Sequence, residues 1–151
     1  MKKLLYCALV AAALAVPTAP QELGKLKPVE VIKISEDSGT VLIETDTGDA
    51  GRGETVELAL WDLKATTPGT IYLDTAEYLL LPEGREELLS QLAPHLKDSV
   101  RLCLWDGEVD VTKTGEFLDA HDPGMKLKEY GPGQQLKVLT SEKERLHLRE
   151  K

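Results

Sequence analysis

Three acidic residues alternate along residues 106–110, and their spacing suits a hard cation. Asp106, Glu108 and Asp110 stand two positions apart, so in an extended segment their carboxylates point to one side. Calcium prefers oxygen ligands of this kind. The spacing is not that of an EF-hand, because Val111 stands where that loop needs a glycine. The segment therefore predicts either a calcium site or a solvated strand edge.

Two tryptophans occupy matching places in two similar segments, residues 56–62 and 100–106. In each segment apolar residues alternate with others before a Trp-Asp pair, which favours a strand. We expect Trp61 and Trp105 at the ends of two strands, as contact residues for a partner, because tryptophan dominates binding hot spots. The alternative is that both tryptophans fill the core.

No catalytic set is assembled in the sequence. Cys103 lies at an alternate position of an apolar segment, which predicts a buried small side chain and not a nucleophile. The histidines show no zinc-ligand spacing, and no serine stands in a nucleophile elbow. We expect no organic cofactor, with calcium as the ligand left open.

The elements that must position these residues are mostly strands. A hairpin is expected over residues 29–45 with its turn at Gly39, followed by a glycine-rich loop over 47–53 and a third strand over 56–61. Leucines at helical spacing predict a helix that Pro82 opens and that Pro94 ends or kinks. Further strands are expected at 100–104, 117–118 and 135–140, and the charged run from Ser141 predicts an exposed helix. This order predicts a β-rich α+β fold, a five-stranded OB-like barrel with one helix between the third and fourth strands.

The beginning of the sequence has the three regions of a secretory signal peptide. Lys2 and Lys3 precede an apolar run, and Ala13-Leu14-Ala15 supplies a cleavage pattern, with a second cut possible after Ala19. We therefore divide the chain into a signal peptide (1–19), a leader (20–28), an OB-like domain (29–140) and a charged tail (141–151). The expected location is the periplasm or outside the cell, with no membrane span in the mature chain.

The charge balance argues against nucleic acid as a partner. Removing residues 1–15 takes away two lysines and no acid, which leaves 16 basic and 26 acidic residues. A field of that sign repels phosphate backbones. We expect a protein, peptide or saccharide partner instead.

Several stretches resemble the staphylococcal nuclease-like family. Residues 31–41 are similar to its first hairpin, 56–62 to its third strand, 82–89 to the start of its helix, and 113–115 to a later turn. The resemblance covers about residues 29–120 and implies an OB fold. It also implies a calcium site of two aspartates: Asp62 matches one of them, and Asp37 lies near the other, whose position is taken by Gly39.

The rest of the catalytic set that the resemblance implies is replaced. Glu57 and Glu116 stand where the family has two phosphate-binding arginines, and Ala65 stands where it has the glutamate that activates water. Carboxylates repel the phosphate that arginines would hold. The sequence thus predicts an exported, non-catalytic binding or structural module. The alternatives are a divergent calcium-dependent nuclease or phosphodiesterase using Asp62 with Asp37, and a calcium-binding module built on residues 106–110.

Overall fold

The computed structural model describes residues 26–142 and 145–151. The predicted signal peptide and leader residues 20–25 lie outside the described residues, as do Lys143 and Glu144. Nine strands and three short α-helices are present in the described part of the chain. The structure is a β-rich α+β fold with mixed sheets, as the sequence predicts.

The predicted hairpin is confirmed. Strands β2 (Val31–Asp37) and β3 (Thr40–Thr45) pair antiparallel, and Asp37 faces Thr40 across the turn. Ser38 and Gly39 both have positive φ, 50° and 78°. This is the backbone that a two-residue hairpin turn needs to match the twist of its strands.

A seven-stranded mixed sheet forms the centre of the molecule. Its order is β4 (Ala50–Gly53), β3, β2, β6 (Tyr78–Pro82), β7 (Arg101–Asp106), β8 (Val138–Glu142) and β9 (Arg145–Arg149). The four central strands, β2, β6, β7 and β8, run parallel, while β3, β4 and β9 are antiparallel to their neighbours. A separate parallel pair joins β1 (Leu26–Pro28) to β5 (Thr70–Tyr72).

The strand expected at residues 56–61 is wrong, because this segment is part of helix α1 (Val56–Thr66). Thr55 caps the helix by accepting a hydrogen bond from the Leu58 amide at 3.2 Å. The buried residues have helical spacing and are Val56, Ala59, Leu60 and Leu63. Leu58 and Trp61 are 49% and 69% exposed. Of the alternating apolar residues, only Val56 and Leu60 lie on the buried face, since they are four positions apart, while Leu58 is exposed.

Glycines in β4 let α1 approach the sheet closely. A Cβ atom on Gly51 would lie 2.2 Å from the Ala59 carbonyl oxygen, and one on Gly53 would lie 2.5 Å from the Ala59 nitrogen. Strand and helix backbones are thus almost in contact. The flexible loop expected at residues 47–53 is instead a tight turn followed by an edge strand covered by α1.

Other predicted elements also differ from the structure. Pro82 ends strand β6, and helix α2 spans only Leu88–Leu92 before a 3-10 turn, Ala93–His95, that contains Pro94. The segment 117–118 belongs to helix α3 (Thr114–Ala120) and not to a strand. The exposed helix expected from Ser141 is wrong, because Ser141 and Glu142 end β8 and residues 145–149 form strand β9, in which arginine and histidine alternate with Leu146 and Leu148.

Two apolar clusters lie on opposite faces of the sheet, because neighbouring residues of a strand point to opposite sides. Leu79 and Leu81 of β6 pack with α1 and α2 in one cluster. Tyr78 and Leu80 pack in the other with residues of α3 and of the 107–113 loop. Cys103 is buried in this second cluster as expected, and burial raises the pKa of its thiol to about 12.

The five-stranded barrel is not confirmed. The main sheet has β4 and β9 as its two edges, and no closed barrel is found in the described ranges. The helix at 56–66 removes one expected strand, and parallel pairing of β2, β6, β7 and β8 produces an open sheet. Within residues 26–142 and 145–151, no helix is long and apolar enough to cross a membrane.

Candidate functional site

A cavity of about 930 Å³ opens on the sheet face that carries Trp105. The carboxyl ends of β7 and β8 border it, together with the loop that follows β7, and ligands of open α/β sheets commonly bind at such an edge. Its volume falls in the roughly 300–1,000 Å³ range of small-ligand sites. The lining residues are Lys33, Trp105, Gly107, Glu108, Val109, Asp110, Lys113, Phe117, Ser141 and Leu146.

Trp105 is held firmly in the wall of this cavity. Its indole N–H donates a hydrogen bond to the Ile34 carbonyl oxygen at 3.0 Å. The Lys33 ammonium lies 4.6 Å from the ring centroid, within the range of a cation–π contact. The side chain is half-buried and packs against the second apolar cluster. The sequence correctly singled out this tryptophan as lying at the end of a strand.

Lys33 joins the sheet to the loop after β7, which lines the cavity. Its Nζ donates to the Val109 carbonyl oxygen at 3.1 Å and lies 3.1 Å from Glu44 Oε2, its cross-strand partner. The side chain is only 13% exposed. The lysine is thus balanced by a carboxylate, a carbonyl and an aromatic face. It was missed from the sequence, where it appears as one polar residue in a strand.

The three acidic residues of segment 106–110 are not brought together as a cation site. Asp106 lies 3.9 Å from Arg149, while Glu108 lines the cavity. Asp110 accepts hydrogen bonds from the Thr112 amide at 3.0 Å and from the Thr112 hydroxyl at 2.7 Å. The Thr112 hydroxyl is the main cause of the lowered pKa of Asp110, with help from Lys113. No group of three or more metal-ligating side chains occurs among the described residues.

The aspartates of the nuclease-like resemblance have separate local roles. Asp62 is on α1, and its Oδ2 accepts a hydrogen bond from the Arg52 amide of β4 at 2.8 Å. Asp37 ends β2 and accepts from the Ser38 hydroxyl at 3.0 Å. Strand β3 lies between β2 and β4. Asp62 therefore satisfies a backbone N–H of the edge strand β4, and Asp37 supports the hairpin turn.

Trp61 does not line the cavity. It is exposed on α1, next to exposed Leu58 three positions earlier on the same helix side. Its role as a contact residue stays a prediction. The two tryptophans thus have different surroundings, although their sequence contexts are alike.

A cluster of carboxylates around Glu30 was not visible in the sequence. Burial raises the pKa of Glu30, and four negative neighbours add to the effect, namely Asp119, Asp46, Glu77 and Glu116. Nearby, the Tyr78 hydroxyl donates to Asp119 at 2.7 Å, and burial followed by this bond raises its pKa. These residues come from segments spread over residues 30–119, so no spacing rule could group them.

Comparisons with known protein families, with curated proteins and with solved structures found no significant match. The candidate site is therefore argued from its own geometry.

Proposed function

We propose that this protein is an exported, non-catalytic binding module whose ligand enters the Trp105 cavity. The observation that carries the proposal is the cavity itself, which combines four apolar side chains with a rim of both charges. A concave surface on which apolar walls and polar groups converge is a common feature of binding sites. The proposal does not depend on a five-stranded barrel.

A protein or peptide ligand fits this cavity better than a saccharide. The Lys33 ammonium lies over one face of Trp105, 4.6 Å from the ring centroid, and competes with a sugar for stacking on that face. The indole N–H already has its partner in the Ile34 carbonyl. Phe117, Val109 and Leu146 offer apolar contacts for a side chain of a peptide. The partner would be met in the periplasm or outside the cell, where the predicted signal peptide would direct the chain.

The test is an amide NMR titration of the purified protein. Calcium and a 5′-phosphorylated nucleotide are added first, followed by a set of short linear peptides and a set of oligosaccharides. We expect peptide-dependent shifts at the residues that line the cavity. Shifts near Asp37 and Asp62 with calcium and nucleotide, together with cleavage of nucleic acid, would instead support the nuclease alternative. Calcium shifts confined to residues 106–116 would support the calcium-binding module.

A pair of variants locates the ligand. Ser141→Tyr places a large side chain in the cavity, whereas Thr140→Tyr places the same side chain on the opposite face of β8. We expect the first variant to lose peptide binding at least about tenfold, or about 1.4 kcal/mol, and the second to retain it. Equal binding by both variants would contradict a ligand in the cavity.

A further inference from the structure

Strand β9 is an edge of the main sheet in the described part of the chain. It pairs with β8 on one side, from Val138 opposite Arg149 to Glu142 opposite Arg145. An edge strand presents backbone N–H and C=O groups that can pair with another extended chain. The opposite edge, β4, is different, because Asp62 accepts from its Arg52 amide and α1 covers it. Within residues 26–142 and 145–151, the sheet therefore has one blocked edge and one open edge.

The two faces of β9 have different chemistry. Arg145, His147 and Arg149 are exposed on one face. Leu146 and Leu148 lie on the other face, half-buried, beside Trp105 and Phe117 in the second apolar cluster. Leu146 also lines the cavity. A strand added beside β9 would thus extend the apolar surface on one face and meet cationic side chains on the other.

The charge of β9 decides which occupant fits. The chain has a formal net charge of −8, but β9 contains two arginines, one histidine and no acidic residue. Arg149 already forms an ion pair with Glu83 at 3.2 Å and lies 3.9 Å from Asp106. Recognition of a charged partner therefore rests on Arg145 and His147. A second copy pairing through β9 would bring arginines close to arginines, and like charges opposite each other weaken a sheet. A chain with acidic side chains on that face would gain opposite-charge pairs instead.

We propose that β9 binds an extended acidic segment of a partner protein by strand addition. Its acidic side chains face Arg145 and His147, and its alternate apolar side chains continue the surface of Leu146 and Leu148. In this mode backbone hydrogen bonds supply affinity and alternate side chains supply specificity. The inference rests on the proposed binding function and assigns its partner class: one apolar side chain of the segment enters the cavity beside Leu146.

The experiment uses the purified protein and three end-blocked seven-residue probes. The first alternates valine with glutamate, and the second alternates valine with lysine. The third is the glutamate probe with every second backbone amide N-methylated, and it is made in two versions that methylate the two complementary sets of amides. We expect the glutamate probe to bind and to shift the amides of residues 145–149. The lysine probe should bind at least about tenfold more weakly, and one of the N-methylated versions should lose binding.

Two charge variants separate β9 from the general field of the protein. The double variant Arg145→Glu with His147→Glu should lower the affinity for the glutamate probe at least about tenfold and raise that for the lysine probe. Lys64→Glu changes the charge of α1 and should leave both affinities unchanged within about twofold.

The outcomes distinguish this inference from the proposed function. Probe shifts at the cavity residues without shifts at 145–149 would overturn strand addition and leave the cavity proposal standing. Shifts at 145–149 that persist in Ser141→Tyr would support the edge and remove the cavity from the proposal. Equal binding of the glutamate and lysine probes, or dimerisation through β9 in light scattering, would overturn the acidic-partner assignment.

Discussion

Glu30 carries a negative charge where the fold supplies four more. Its folded pKa is raised, first by burial and then by Asp119, Asp46, Glu77 and Glu116. A carboxyl whose pKa is higher in the folded state than in the unfolded state costs stability when ionised at neutral pH. The cost disappears as the pH falls to the unfolded value of about 4.3.

We therefore expect Glu30→Gln to raise the free energy of unfolding at pH 7 by up to about 0.5 kcal/mol, the usual size of an effect near the surface. The advantage should vanish below about pH 4, where the wild-type carboxyl is protonated. Thermal unfolding of both proteins at pH 7 and pH 3.5 measures the difference. An advantage that is the same at both pH values would contradict the electrostatic cause.

The two tryptophans should differ sharply in their contribution to stability. Trp105 is half-buried and bonded to Ile34, whereas Trp61 is 69% exposed. Trp105→Ala should cost about 2–4 kcal/mol, since it removes apolar packing and leaves a carbonyl without its donor. Trp61→Ala should change stability by less than about 0.5 kcal/mol. Urea unfolding checks both, and a similar loss in the two variants would mean that Trp61 packs against the fold.

At the scale of elements, the contact between β4 and α1 depends on the absence of a side chain. A Cβ on Gly51 would meet the Ala59 carbonyl oxygen at 2.2 Å and the Leu63 nitrogen at 2.3 Å. Both atoms belong to the backbone of α1, so neither can move aside unless the helix shifts. Gly51→Ala should therefore lower the free energy of unfolding, measured in urea, by about 1–3 kcal/mol or more. Gly131→Ala is the matched control, because its Cβ would meet nothing within 4 Å.

Asp62 connects the same two elements and also tests the nuclease-like interpretation. Its carboxylate accepts from the Arg52 amide, so Asp62→Ala should cost about 0.5–1.5 kcal/mol while Asp62→Asn, which keeps an acceptor, costs less. We expect no calcium-dependent cleavage of nucleic acid from the wild type or from either variant. Calcium-dependent cleavage of nucleic acid that is present in the wild type and lost in Asp62→Asn would show a catalytic role instead.

The helix at 56–66 shows what the sequence could and could not predict among the elements. Up to Trp61 the apolar residues fit a strand as well as a helix. Only the continuation to Leu63, with Thr55 as a cap, favours the helix. The hairpin was predictable because Ser38 and Gly39 determine its turn locally. Strand β9 was missed because the charged residues at 142–145 suggested an exposed helix, although Leu146 and Leu148 alternate with polar residues at period two.

At the scale of the whole molecule, the sheet order could not be derived from the sequence. The parallel pairing of β2, β6, β7 and β8 joins residues far apart along the chain, and local patterns carry no information on such pairing. The cavity follows from that order, since it is lined by residues from Lys33 to Leu146. The position of Trp105 at the end of a strand could be predicted from its segment, whereas the positions of Lys33 and Leu146 beside it required the fold.

Several ion pairs and hydrogen bonds join distant parts of the molecule and should make its stability depend on acid pH. The hydrogen bond from Lys151 lowers the pKa of Glu86. Burial acts to raise the pKa of Asp49, but hydrogen bonds from Thr47 and Lys27 outweigh it, so the pKa is lowered. A carboxyl with a lowered folded pKa adds stability above its unfolded pKa, and that stability is lost as the pH falls through the folded value.

We therefore expect the melting temperature to change little between about pH 7 and pH 5 and to fall below about pH 4, where these carboxylates begin to protonate. Asp49→Asn removes the charge facing Lys27, 3.1 Å away, and keeps an acceptor for Thr47. It should cost about 1 kcal/mol at pH 7 and make the acid dependence shallower. Calorimetry of both proteins from pH 3 to pH 7 measures this. Parallel curves would mean that the Lys27–Asp49 pair does not contribute to the acid sensitivity, and the Glu86–Lys151 pair would then account for more of it.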